Sequence, residues 1–251
     1  MTFNYIQVSP LNSKQTNIFN FKQFAVDQTG CAMKVNTDGV LLAVLADSAK
    51  PQNILDIGTG TGVIALILAQ RFLSARIMAV EIDENAASTA RRNFSGSIFS
   101  DRLQIYPSSF EKYFEENRTA KYDLIISNPP FFIDSLKSDD PIKTLARHTD
   151  KLFFENLLDN SVLHLEKNGR LVMILPVTLS KLVQEIALNK GLYLQMKIEI
   201  GSFVDSIAHR HVLSWGLTPQ QVRQSQFAIY GKPKEYSAEY RSLLKEFFTI
   251  F

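Results

Sequence analysis

The chemistry-bearing stretch of this chain is Asp123–Phe132, read Asp-Leu-Ile-Ile-Ser-Asn-Pro-Pro-Phe-Phe. Leu124, Ile125 and Ile126 suit a short strand buried on both faces. Asn128 precedes a proline and is pushed to an extended backbone. Pro129 and Pro130 fix φ and supply no N–H, so the strand must stop there. The result is a stiff loop carrying an amide, carbonyls and an aromatic face. Such a set suits holding a flat molecule with an exocyclic NH₂. The Asn128 oxygen and the Pro129 carbonyl can each accept one amine hydrogen, and Phe131 can stack on the ring. The same four residues also suit a proline-stopped strand whose aromatics cap a core.

A second constellation is Asp56-Ile57-Gly58-Thr59-Gly60-Thr61-Gly62, placed between an apolar strand and an apolar helix. Glycines let this turn tighten and let a ligand approach the backbone. About 20 residues further, an acid, Glu81, stands at the end of the next strand, where such acids bind ribose hydroxyls. The spacing Gly-x-Gly-x-Gly is shorter than the dinucleotide pattern. Asp56 is badly placed for a pyrophosphate and well placed for a cationic ligand. Capping of the turn by Asp56, and a solvated strand end at Glu81 and Asp83, remain the alternative readings.

The elements that must position these groups follow from hydrophobic period. Strands are expected at 54–57, 76–80, 103–106, 122–127, 170–175, 191–200 and 209–217. Helices are expected at 37–47, 63–72, 84–94, 149–165, 179–188 and 237–248. Residues 1–20 read as a loose polar lead-in, and 21–36 as a short extended pair around Gln28-Thr29-Gly30. Strands alternating with helices imply an α/β fold with a doubly wound, mostly parallel sheet and helices on both faces. Residues 201–208 are too few for a parallel crossover, so the last two strands pair antiparallel. A seven-stranded sheet with one antiparallel strand follows.

Composition bounds the partners. The 251 residues are 45% hydrophobic and 21% charged, with a net charge of +2. That charge neither argues for nor excludes nucleic acid. A single cysteine, Cys31, forbids an internal disulfide and fits a reducing compartment. No basic-then-apolar leader and no run of about 20 apolar residues appears, so a cytoplasmic protein without membrane contact is expected. His209 and His211 lie two apart on an expected strand with no cysteine or acid beside them. They read as packing or surface residues, and no metal is expected.

Asp56–Gly62, Glu81 and Asn128-Pro129-Pro130-Phe131 at successive strand ends resemble the S-adenosylmethionine-dependent methyltransferases of the Asn-Pro-Pro-aromatic class, which have a Rossmann-like class I fold. The resemblance implies that the glycine turn (Gly58, Gly60, Gly62) packs against the methionine part, Glu81 takes the ribose and Ser109 meets the adenine, where many relatives have aspartate, with Asp56 and Ile82 also at the cofactor. Phe21–Leu42, with Cys31-Ala32-Met33-Lys34-Val35 and Thr37-Asp38-Gly39-Val40-Leu41-Leu42, Arg147-His148-Thr149, and the ending from Tyr236 further resemble the tRNA1(Val) adenine-N6-methyltransferase family, over nearly the whole chain. That implies an N-terminal extension, 1–50, lying over the cofactor with Lys34, Thr37 and Asp38 near it, and a Rossmann-like domain, 51–251. Asn36 departs from the glycine expected there. Asn128 through Phe131 would be catalytic, Asn128 also lying against the cofactor. Phe131, Phe132, Arg147 and His148 would meet RNA, with Lys137 and Lys143 nearby. The implied partner is tRNA. No obligate protein partner and a monomeric state are expected. Guanine-N2 transfer to ribosomal RNA, protein-glutamine N-methylation, and a non-catalytic cofactor- or RNA-binding module are the competing readings.

Overall fold

Buried apolar runs become the middle strands of one sheet. A computed structural model describes residues 17–130 and 141–251, except for the side chains of 141–150. The strands are β1 (Ile18–Asn20), β2 (Ala25–Asp27), β3 (Asn53–Ile57), β4 (Arg76–Glu81), β5 (Leu103–Pro107), β6 (Tyr122–Ser127), β7 (Leu165–Pro176), β8 (Tyr193–Gly201), β9 (Arg210–Gly216), β10 (Arg223–Ala228), β11 (Tyr230–Lys232) and β12 (Glu235–Tyr236). The helices are α1 (Thr37–Leu45), α2 (Val63–Arg71), α3 (Glu84–Ser95), α4 (Phe110–Glu116), α5 (Pro141–His164), α6 (Val177–Asn189) and α7 (Ala238–Leu244).

The main sheet has the order β10-β8-β9-β7-β6-β3-β4-β5. Only β9 runs against its neighbours, pairing antiparallel with both β7 and β8. The sheet therefore has eight strands where the sequence reading expected seven. The extra strand is β10, Arg-Gln-Ser-Gln-Phe-Ala, which pairs parallel with β8 at the sheet edge. Its first four residues are exposed and polar, so it shows no apolar period, and only the neighbouring strand makes it extended.

Other boundaries shift for local reasons. The N-terminal pair turns at residues 21–24, because β1 and β2 pair antiparallel from Ile18↔Asp27 to Asn20↔Ala25; Gln28-Thr29-Gly30 lies beyond it. Helix α1 is capped by Asn36, whose Oδ1 accepts from Gly39 N at 2.8 Å. The residue that departs from the expected glycine is thus the helix cap. α5 begins eight residues before its expected start, at Pro141, a proline being tolerated in a first turn. α4 was not expected; Ser109 caps it, with its Oγ accepting from Lys112 N at 3.3 Å.

Two apolar layers flank the sheet. One packs α1, α2, α3 and α7 against side chains such as Ile54, Ile126, Val172 and Val212. The other packs α4, α5 and α6 against Leu55, Ile125, Leu171 and Trp215. Alternate residues of each strand thus serve opposite layers, as the two-residue strand period requires. Phe21, Phe24, Val26 and Val35 are buried in the first layer. Phe21 also bridges to Phe248, and Lys22 N donates to Phe247 O at 2.8 Å. The described part of the first fifty residues thereby shares the core of the remainder. No helix among the described residues is long and apolar enough to cross a membrane.

Candidate active site at the carboxyl edge of the sheet

From β3 the chain winds outward to β4 and β5, and then returns to place β6 on the other side of β3. That reversal opens a crevice at the carboxyl ends of β3 and β6, where open α/β sheets bind ligands. Its two walls are the turn after Ile57 and the loop after Ser127. Side chains pin the walls in register. Asp123 Oδ2 accepts from the backbone N–H groups of Gln52 and Asn53 at 2.8 and 2.9 Å. At the other end Ser127 Oγ donates to Ile57 O at 2.9 Å, fully buried.

The glycine turn is built for open backbone. Gly58, Gly60 and Gly62 all have positive φ, at 73°, 57° and 84°. A Cβ on Gly58 or Gly60 would meet nothing within 4 Å, so both face open space. At Gly62 a Cβ would lie 2.5 Å from Phe94 Cε1; this glycine serves close helix packing. Asp56 is completely buried beneath the turn. Its Oδ2 accepts from Thr59 Oγ1 at 2.5 Å, and its Oδ1 has no hydrogen-bond partner among the described residues. Burial, and then the negative charge of Glu81, push its pKa up to about 7, against the pull of Thr59 Oγ1 and of the Ala65 backbone N–H.

Glu81 holds the adjoining wall. Its two carboxylate oxygens accept from Gly60 N at 2.8 Å and Asp83 N at 2.9 Å, leaving lone pairs for a further donor. Asp83 caps α3, with Oδ1 accepting from Ala86 N at 2.7 Å. Ile82 between them is 72% exposed. Ser109 is half-buried, and its hydroxyl is engaged in capping α4.

Across the crevice Asn128 is half-buried, Pro129 buried and Pro130 exposed. Asn128 Oδ1 is a buried acceptor without a partner among the described residues. A Cβ on Gly39, in the first turn of α1, would lie 3.8 Å from Asn128 Nδ2, so α1 begins against the amide. Asp38 Oδ2 accepts from Arg210 Nε at 2.7 Å, which ties that first turn to the start of β9. Thr37 is half-buried, and Lys34 is exposed just before it. Phe131 and Phe132 lie outside the described residues. Arg147 and His148 lie on α5, but their side chains are outside that description.

Sequence spacing gave no signal for three residues that organise this site. Asn93 on α3 is buried; its Oδ1 accepts from Asp27 N at 2.9 Å, and its Nδ2 donates to Asp27 O and Thr61 O, each at 2.8 Å. It staples the N-terminal pair to the glycine turn. Thr89 Oγ1 adds a bond to Thr29 O at 2.6 Å. Ser127 and Arg210 are the other two. All three act between segments far apart in the chain, and nothing local marks them. Elsewhere His211 is buried, its Nδ1 2.7 Å from Ser180 Oγ, a packing role. Among the described residues no group of three or more His, Cys, Asp or Glu could hold a metal ion.

The crevice combines a turn open to a ligand, buried acceptors at Asp56 and Asn128, and a carboxylate at Glu81. The oxygens left without a donor among the described residues, Asp56 Oδ1 and Asn128 Oδ1, suit a ligand that carries positive charge and N–H groups. Comparisons with known proteins agree with this. Residues 32–191 match the family model described as methyltransferase small domain. A tRNA1(Val) (adenine(37)-N6)-methyltransferase of Pedobacter heparinus is 45% identical over 94% of this chain and 99% of its own. One of the same name from Bacteroides fragilis is 39% identical over 92% and 97%. In fold, the chain resembles a predicted O-methyltransferase of Agrobacterium tumefaciens, with a TM-score of 0.62 at 18% identity over 84% of this chain and 96% of that one. It also resembles ribosomal protein L11 methylase of Lactobacillus delbrueckii, with a TM-score of 0.54 at 16% identity over 76% and 83%. The chain belongs to the methyltransferase small domain family and, with these relatives, to the tRNA1(Val) (adenine(37)-N6)-methyltransferases.

Proposed function

We propose that this protein transfers a methyl group from S-adenosyl-L-methionine to the exocyclic N6 of an adenine in tRNA, the adenine beside the anticodon of a valine tRNA. The observation that carries the reading is the buried Asn128 Oδ1 at the crevice, without a partner among the described residues, beside the glycine turn across the Ser127–Ile57 bond. A buried acceptor costs free energy until a donor meets it, and an amine hydrogen is such a donor.

The residues present fit the cofactor. Open space over Gly58 and Gly60 admits it to the backbone, and buried Asp56 Oδ1, without a partner among the described residues, suits a cationic amino group. In this reading Asp56, Gly58, Gly60 and Gly62 hold the methionine end and Glu81 the ribose. The exposed Ile82 side chain and Ser109 flank the adenine. Bound there, S-adenosyl-L-methionine supplies an electrophilic methyl on a sulfonium. Asn128 Oδ1 and the Pro129 carbonyl accept the two hydrogens of the target amine. That grip turns the nitrogen lone pair out of conjugation with the ring and stabilises the positive charge that grows on nitrogen. The proton leaves an already cationic nitrogen, so the chain needs no strong base. Pro129 and Pro130 stiffen the grip; Phe131 stacks on the base.

The segment from Asp27 to Asp38 then acts as a strap across the cofactor. Asn93 and Thr89 hold one end on α3, and Asn36 and Arg210 hold the other beside Asn128. Lys34, Thr37 and Asp38 lie on this strap. Phe132, Arg147 and His148 are assigned to RNA contact from the sequence. The expected setting is the cytoplasm, with the protein acting as a monomer. The same grip would serve guanine N2 or a glutamine amide; the names of the relatives favour adenine in tRNA.

The test is methyl transfer from labelled S-adenosyl-L-methionine to unmodified total tRNA, followed by nucleoside mass spectrometry. N6-methyladenosine should form, and Asn128→Ala should lower turnover by about 100-fold or more, the order seen when a preorganised polar group is removed, while S-adenosylhomocysteine still binds. Unchanged turnover in Asn128→Ala would reject the assignment.

A further inference from the structure

The loop between β8 and β9, residues 202–208, lies on the same carboxyl edge as the crevice, since Pro176 at the end of β7 pairs with Arg210. It carries large apolar side chains into solvent: Val204 is 70% and Ile207 94% exposed. The loop is braced. Phe203 N donates to Ser206 Oγ at 2.8 Å, Ser206 N to Phe203 O at 3.0 Å, and His209 N to Ile200 O at 2.9 Å. Tyr230 N donates to Ser202 O at 2.9 Å, and the Tyr230 ring lies 5.9 Å from that of Phe203. A turn held this firmly projects Val204 and Ile207 by construction.

Contacts connect the projection to the crevice. Ile207 is three residues from Arg210; Arg210 binds Asp38, and the next residue, Gly39, abuts Asn128. The strands involved, β9, β7 and β6, are consecutive, so the β9 end of the loop sits roughly 10 Å along the edge from the end of β6 that carries Asn128. Next to Tyr230, on the β11–β12 hairpin, Lys232 and Lys234 are exposed beside the exposed Glu235 that pairs with Lys232; the two lysines suit phosphates. Asp205 is the one acid in the loop.

Resting on the function proposed above, we infer that Val204 and Ile207 form an apolar wedge that enters the base stack of the RNA substrate beside the target adenine. An enzyme that works on a stacked base must take it out of the stack. Apolar side chains inserted at a base step unstack it and fill the space left behind. Two aliphatic groups on a rigid turn match one base step, and the lysines of the adjoining hairpin match the backbone on that side.

The test compares the full chain with the Val204→Ser/Ile207→Ser double variant, whose changes face solvent. The probe is a stem-loop RNA with the sequence of a valine tRNA anticodon arm, carrying 2-aminopurine in place of the target adenine. Binding by the unaltered protein should raise 2-aminopurine fluorescence as the base unstacks, and the double variant should lose most of that rise. With the unlabelled stem-loop, kcat/KM should fall about tenfold or more, S-adenosylhomocysteine affinity should be unchanged, and Ile207→Met should retain most of the activity. An unchanged fluorescence rise and kcat/KM in the double variant would overturn the wedge alone. So would sedimentation showing that the unaltered protein pairs through this loop while RNA parameters stay the same. If the unaltered protein neither binds nor methylates the stem-loop or whole tRNA, the wedge falls together with the function on which it rests.

Discussion

Asp56 should make the free protein less stable and the cofactor complex tighter, and Asp56→Asn separates the two effects. Its carboxyl is completely buried, and burial with the nearby Glu81 charge raises its pKa from 3.8 to about 7. A carboxyl with a folded pKa above its unfolded value favours the fold while protonated. That advantage is complete below about pH 4 and is lost as the pH rises through about 7. At about 1.4 kcal/mol per pH unit, the whole shift is worth about 4 kcal/mol. Asparagine keeps an acceptor for Thr59 Oγ1 and carries no charge at any pH. At pH 8.5, Asp56→Asn should therefore melt higher than the unaltered protein by roughly 8–16 °C, at about 2–4 °C per kcal/mol for a chain of this size. At pH 5 the folded carboxyl is protonated but the unfolded one is already ionised, so about 1.6 kcal/mol of the difference remains and the gap should narrow to roughly 3–7 °C; it should close only below about pH 4. Affinity for S-adenosylhomocysteine at pH 8.5 should move the other way and fall about tenfold to a hundredfold, through loss of a charge-assisted hydrogen bond. Calorimetric melting at both pH values, with titration of S-adenosylhomocysteine, reads all of these quantities. If Asp56→Asn melts equally far below the unaltered protein at pH 5 and pH 8.5, the carboxylate is a structural cap of the turn and the reasoning fails.

Asn93→Ala removes three hydrogen bonds to backbone, the one to Thr61 O fully buried and the two to Asp27 partly so. It should cost about 2–4 kcal/mol in urea unfolding, and KM for S-adenosyl-L-methionine should rise more than KM for tRNA, because the strap is loosened on the cofactor side. Gly62→Ala sets a Cβ 2.5 Å from Phe94 at a φ of 84°; it should lose about 2 kcal/mol or more, and the added Phe94→Leu change should recover part of that. Arg210→Met leaves Asp38 without the 2.7 Å partner that steadies the first turn of α1. Steady-state kinetics should then show a lower kcat with little change in S-adenosylhomocysteine affinity, whereas unchanged kcat would remove Arg210 from the positioning of Asn128.

The acids, glycines and prolines of the site were legible in the sequence because each acts on its own neighbourhood. Gly58 and Gly60 need only their own φ to turn the chain, and Pro129 and Pro130 end β6 wherever it lies. The hydrophobic period likewise placed β3, β4, β5 and β6 close to their observed limits; the centres of β3, β4 and β6 are apolar and buried, and β5, at the sheet edge, keeps Leu103 and Ile105 as its apolar positions. β10 was invisible, being polar and exposed until β8 pairs with it. The role of Asn36 was legible only as a departure from glycine; the structure makes it the cap of α1.

What the sequence by itself determined is the set of reactive groups and the strand ends that carry them. What only the tertiary structure decided is how those groups are held. Asn93, Ser127 and Arg210 work across separations of 66, 70 and 172 residues, and a bond between such distant segments leaves no trace in local spacing. The same holds for charge: Asp56 becomes a carboxyl with a pKa of about 7 only when the fold closes over it and brings Glu81 alongside. Burial and proximity are properties of the packed chain, and they turn a recognisable set of residues into a site.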